Sequence, residues 1–199
     1  MGLLRFVTHP QVRISAEIPV PFWGLSDLGR SRVDALAKQP WLAKTNRLLS
    51  SGETKALETA AIIAIATGLA IEVRHDLHEN DRSSTGFVPP ERFEQLADAF
   101  FREPTQSVEG WETASAAQAR VKAATEDLLE DNENDILIVA HGAIGTLLLC
   151  DLLGVPITRS EDQVSGEAAP GGGNYWTFDR ATGNVLHRWR PIEATSKPQ

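Results

Sequence analysis

Two apolar runs in this chain end alike: Phe6-Val7-Thr8-His9 close to the start and Ile138-Val139-Ala140-His141 toward the end. Each reads as a short buried strand with a histidine where the chain leaves the sheet. In an open parallel sheet, ligands sit outside the carboxyl ends of the strands. Two strands with one ending therefore predict that His9 and His141 share a pocket. That demand restricts the chain to folds in which distant segments pair in parallel.

The intervening sequence supplies the crossovers. Leu3–Val7 reads as the first strand, followed by a proline-bearing loop to Trp23. Ser26-Asp27 opens a helix with Leu28, Val33, Leu36 and Ala37 on one face, stopped at Pro40. A strand over Arg47–Ser50 leads to a helix from Glu53 closed by Gly68, and Leu69–Val73 alternates like a half-exposed edge strand. Pro89-Pro90 primes a helix bearing Phe93, Leu96 and Phe100, and an alanine-rich helix covers Thr113–Leu129. The strand Ile136–Ala140 feeds a helix that ends at Gly154-Val155-Pro156. Arg159–Gly173 reads as irregular, with Gly171-Gly172-Gly173 a flexible lead-in to a hairpin of Asn174–Phe178 and Val185–Trp189. The tail beyond Pro191 is expected to be loose. Strands alternating with helices predict a three-layer α/β/α sandwich around a mostly parallel sheet, one domain over residues 1–199. No G-x-G-x-x-G follows a strand and no G-x-x-x-x-G-K-[ST] occurs, which removes support for those nucleotide folds.

A neutral imidazole attacks phosphorus when one ring nitrogen is free and the other is held by a hydrogen bond. The transferring group also needs fixed donors for its oxygens and an acid for the leaving oxygen. His9 or His141 can fill the first role. Lys55, at a helix start after Ser50-Ser51-Gly52, can fill the second, helped by the helix N-terminus. Glu79, in Leu77-His78-Glu79, can fill the third. No metal is expected: in an extended His75–Glu79 segment the two histidines point to opposite faces. No cofactor is expected either. Trp23 and Trp111 are candidate pocket walls, and His187 reads as surface.

These segments, in this order, resemble the histidine phosphatase superfamily, which includes phosphoglycerate mutase-like enzymes. That family's Arg-His-Gly is matched by Thr8-His9-Pro10, its Leu-Ser/Thr-x-x-Gly by Leu25–Gly29, and its Ser-x-x-x-Arg-Ala-x-x-Thr-Ala by Ser51–Ala60. Leu77-His78-Glu79 matches its Leu-x-Glu, and Val139-Ala140-His141-Gly142 its Val-x-His-Gly. The resemblance implies a phosphoglycerate mutase-like fold, with His9 the nucleophile of a phosphohistidine intermediate, His141 a transition-state stabiliser and Glu79 the proton donor. It implies Thr8, Lys55 and Gly142 as substrate-binding residues, and Arg13, four residues after His9, is added to them as a guanidinium that can reach back. The chain departs from the pattern where Thr8 and Lys55 replace arginines and Pro10 replaces glycine. Lysine keeps the charge but not the bidentate fork, and proline removes an N–H. Arg13, Arg82 and Arg120 are candidates to restore a guanidinium. The expected activity is a metal-independent phosphomonoester hydrolase, weak or altered. The alternatives are a phosphoglycerate mutase-like phosphotransferase and a degenerate module that binds an anion.

With 42% hydrophobic and 23% charged residues the composition is that of an ordinary globular domain. The net charge of -8 argues against nucleic acid and anionic membrane as partners, leaving a small phosphorylated substrate, with a homodimer left open. Cys150, alone in the sequence, reads as a buried thiol. Met1-Gly2 runs straight into the first strand without a leader, so a cytoplasmic location is expected.

Overall fold

In a computed structural model, which describes residues 2–130, 133–164 and 166–194, the expected sandwich forms around one mixed sheet. Its strands are β1 (Leu3–Thr8), β2 (Thr45–Ser51), β3 (Ile71–Arg74), β4 (Asp135–Ala140), β5 (Asn174–Asp179) and β6 (Asn184–Pro191), in the order β3-β2-β4-β1-β5-β6. β3, β2, β4 and β1 run parallel, while β5 and β6 add antiparallel at one edge. The helices are α1 (Asp27–Leu36), α2 (Thr54–Thr67), α3 (Pro90–Arg102), α4 (Ala114–Glu130) and α5 (Gly142–Leu153).

The period of two along β4 sends its side chains to two separate cores. Ile136, Ile138 and Ala140 pack with Phe6, Trp176, Val121 of α4 and Leu148 of α5. Leu137 and Val139 pack with Val7, Val33 of α1 and Ala60 of α2 on the opposite face. A strand buried on both sides reads as an apolar run, and β4 does from Ile136 onward, its buried first residue Asp135 being ion-paired. A third cluster joins Phe100 and Phe101 of α3 to Trp111, Ala117 and Leu147, so α3 lies outside α4 and α5.

Several expectations are corrected. Leu28 is 59% exposed; Gly29, Val33 and Leu36 form the buried face of α1. The chain beyond Pro191 is anchored, not loose: Ile192 is fully buried, and Glu193 pairs with Arg32; residues 195–199 lie outside the described part. The triple glycine is held rather than flexible, because Arg32 donates to the carbonyls of Gly172 (2.8 Å) and Gly173 (2.8 Å). Cys150 is buried as expected, and β3 is an edge strand as its alternation predicts. No helix among the described residues is long and apolar enough to cross a membrane.

The end of the sheet away from the histidines is closed by a buried ion pair. Arg5 Nη1 lies 2.9 Å from Asp135 Oδ2, the same carboxylate accepts Leu3 N–H at 2.9 Å, and the guanidinium rests 4.7 Å over Trp41. Removing one partner of such a pair leaves a buried charge uncompensated. Asp135→Ala is therefore expected to lower unfolding free energy by about 3–5 kcal/mol, read from urea denaturation, with the fold otherwise retained.

Candidate active site

The parallel pairing of β1 with β4 sets Thr8 opposite Ala140, and His9 N–H donates to the Ala140 carbonyl at 3.1 Å. The next residue on each strand is a histidine, so the register alone brings the two imidazoles together. Their ring centres stand 5.3 Å apart in an edge-on arrangement.

His9 Nδ1 lies 2.9 Å from the Pro10 carbonyl. A carbonyl only accepts, so the ring proton sits on Nδ1 and Nε2 carries the lone pair. Proline lacks an N–H but keeps its carbonyl, so the replacement of glycine leaves the group that orients His9 intact. The loop is clamped from two sides. Ser26 N–H and Oγ both donate to the Gln11 carbonyl, at 2.9 and 3.1 Å, and a side chain at Gly29 would strike that oxygen at 2.2 Å. Gly173 N–H donates to the His9 carbonyl at 3.0 Å, while Gly172, at φ +83°, packs so closely that a Cβ would lie 2.3 Å from it. Burial, reinforced by the Lys55 charge, lowers the His9 pKa to about 4, so the ring is neutral at pH 7.

His141 is fully buried and caps α5. Its Nε2 lies 2.8 Å from Ser51 Oγ and 3.5 Å from Glu53 Oε1, while Nδ1 is buried with no partner. Burial pushes its pKa well below the ordinary 6.5, against the opposing pull of Glu53. Lys55, in the first turn of α2, is 3% exposed. Its ammonium donates to the Val20 carbonyl at 2.9 Å and to Glu53 Oε2 in a short contact. Glu53 also accepts Glu79 N–H at 2.9 Å. Burial works against charge on Glu53, but His141 and Lys55 outweigh it and hold the carboxyl well below the usual range. The Lys55 charge is thus compensated from two residues away, a feature the sequence motif did not disclose.

Glu79 accepts Ala143 N–H (3.2 Å) and Ile144 N–H (3.2 Å), so its carboxylate sits at the N-terminus of α5. Gly142 opens that helix and lines the cleft; a Cβ there would meet Gln163 Nε2 at 2.3 Å. Gln163 Oε1 accepts from both Thr8 Oγ1 (3.1 Å) and Asn174 Nδ2 (2.9 Å). With its oxygen doubly engaged, the amide must turn Nε2 toward Gly142 and the cleft. Thr8 is buried, its hydroxyl bonded to Gln163 and to the Asn174 backbone, so Gln163 rather than Thr8 presents a donor.

The structure does not bring Arg13 to the site: it is exposed and pairs with Asp27 at 3.1 Å. Arg120 is committed elsewhere, to Glu112 and to the carbonyls of Asp76 (2.6 Å) and His78 (3.0 Å), where it steadies the segment bearing Glu79. Arg82 is the guanidinium in place. Its centre lies 5.0 Å over Phe93 and 5.6 Å over Trp111, it lines the same cleft as His9, and no carboxylate pairs with it among the described residues. The cleft holds about 520 Å³. Trp111 does form part of its wall, whereas Trp23 packs on Phe87 away from it. His75–Leu77 is a 3-10 turn rather than extended chain, and His187 packs against Tyr175 at 4.8 Å. No cluster of metal-ligand side chains occurs among the described residues.

Sequence comparison agrees with this geometry. The model of the histidine phosphatase superfamily (branch 1) matches residues 12–168. The chain belongs to that superfamily. Membership makes it an enzyme of the histidine phosphatase class, although the match begins just past His9. No curated protein sequence matches the chain. Among solved structures, a mycobacterial glucosyl-3-phosphoglycerate phosphatase with inorganic phosphate superposes with TM-score 0.73 at 20% identity, over 98% of this chain and 100% of that one. The values are 0.74 and 19% for Bacillus stearothermophilus YhfR, over 94% and 95% of the two chains. For the Shigella flexneri α-ribazole phosphatase they are 0.70 and 17%, over 99% and 100%. These likenesses establish the phosphoglycerate mutase-like fold.

Two measurements follow from the charges. NMR titration of the His9 ring is expected to show a midpoint near 4, rising in Lys55→Gln but staying below 6.5, because burial is the larger cause of the shift. Because the unfolded ring binds its proton nearer 6.5, His9 makes stability rise with pH across that window, and below about 4 the contribution is gone. Glu53→Gln removes a negative charge beside Lys55. Inorganic phosphate should bind roughly tenfold tighter by calorimetry, the direction that like-charge removal at close range dictates, while thermal stability falls because buried Lys55 loses its counter-charge.

Proposed function

We propose that the chain hydrolyses small phosphomonoesters through a phosphohistidine on His9, without a metal. The observation that carries this reading is the Nδ1–Pro10 carbonyl bond, which leaves Nε2 as a neutral lone pair facing the cleft at pH 7. In the forward step, Nε2 bonds to phosphorus as the bond from phosphorus to the ester oxygen breaks. The Glu79 carboxyl passes its proton to that oxygen, and the alcohol leaves. Water then attacks phosphorus, Glu79 recovers the proton, and phosphate departs as His9 regains its lone pair. Lys55, His141, the α5 N-terminus at Gly142 and Gln163 Nε2 supply donors for the equatorial oxygens. His141 Nδ1 suits this role, since a buried polar atom without a partner costs about 1–3 kcal/mol until a ligand satisfies it.

A mutase must hold a second anionic group, and the cleft offers it little: Arg159 is already paired with Glu94 and Asp98. The Lys55–Glu53 pair favours a different second reading, a module that binds an anion and does not turn it over. One experiment separates them. With an aryl phosphate, the wild type should form an acid-labile phosphoryl adduct on His9 and turn over, and His9→Ala should lose at least about a thousandfold in rate. Phosphate binding without adduct or turnover would leave the binding module.

A further inference from the structure

We propose that the cleft beyond His9 is built for a planar aromatic group on the substrate, stacked on Arg82 and hydrogen-bonded by Asn80. This rests on the phosphatase reading and names the class of ester it acts on. Three observations carry it. The first is the wall: Phe93, Phe100, Phe101 and Trp111 line the cleft together with Ala168, Ala169 and Pro170. The second is charge. Of the ionised groups around this space, Arg159 is paired with Glu94 and Asp98, and Asp162 is bonded by Thr146 Oγ1 at 3.0 Å and Gln163 N–H at 2.7 Å. These two groups are largely spent within the protein, so few polar atoms, Arg159 Nε and Gln163 Nε2 among them, are left for a polyhydroxylated leaving group.

The third observation is the placement of Arg82 and Asn80. Arg82 Cζ lies 5.0 Å over the Phe93 ring and 5.6 Å over that of Trp111, and the residue lines the cleft. A guanidinium is planar and stacks on an aromatic ring as well as attracting its phosphate, which an aliphatic chain cannot exploit. Asn80 is 5% exposed, lines the same cleft, and its Nδ2 has no hydrogen-bond partner. A buried amide donor without a partner on the lining of this cleft calls for an acceptor on the ligand.

The test holds leaving-group chemistry constant. Both 2-phenylethyl phosphate and 2-cyclohexylethyl phosphate release a primary alcohol. The wild type should hydrolyse the phenyl ester with at least tenfold higher kcat/KM, and Arg82→Lys, which keeps charge but not the plane, should bring the ratio toward one. Equal kcat/KM in the wild type overturns the proposal while leaving the phosphatase reading standing. Should neither ester turn over, the phosphatase reading fails. Calorimetry of phenylphosphonate against cyclohexylphosphonate on the same protein then decides: tighter phenyl binding upholds the aromatic site, and equal or no binding overturns it.

Discussion

The whole site hangs on one hydrogen-bonded register, the parallel pairing that seats Thr8 beside Ala140. Strand side chains alternate, so a slip of one residue would turn Phe6, Val7, Ile138 and Val139 each to the wrong core. The two hydrophobic clusters on either face of the sheet therefore fix where the strands end, and with that the approach of His9 to His141. Catalytic placement here is a by-product of core packing. The Arg5–Asp135 pair locks the same two strands at their opposite ends, which restrains sliding from below.

What the sequence made legible was the part governed by period and by local motif. Apolar runs, helix stops and the order of the segments were enough for the layers, the mostly parallel sheet and the meeting of His9 with His141, while the family resemblance added Lys55, Glu79 and Gly142. Residues whose place depends on side-chain reach across elements were not legible. Arg13 is close to His9 in sequence, but the Gln11–Ser26 clamp turns the chain outward, and Asp27 takes the charge. Gln163 arrives from an irregular loop with no motif of its own, and only the double engagement of its oxygen reveals it. Glu53 occupies an unconstrained position of the Ser51–Ala60 segment, so nothing in the pattern set it apart from a solvated helix-start carboxylate.

The departures around His9 look different once the backbone is considered. An imidazole nucleophile needs a carbonyl on Nδ1, and every residue has one, so Pro10 preserves the essential contact. What the Thr-His-Pro sequence gives up is a cation. The fold supplies a different one from the loop before α3, on an aromatic bed rather than on a strand end. Arg82 lines the same cleft as His9. On the proposed reading, phosphate capture and recognition of the leaving group share that residue.

The pairing of Lys55 with Glu53 also bears on how a substrate arrives. An enzyme for anions gains on-rate when its mouth projects net positive potential. Here the buried ammonium is neutralised at close range, and the chain as a whole carries a charge of -8. On the proposed function a phosphate ester approaches a chain whose net charge repels it. Added salt shortens the range of that repulsion, since the screening length is about 10 Å at 0.1 M and shorter above it. Salt would then act on encounter in the opposite sense to its effect on an electrostatically steered enzyme.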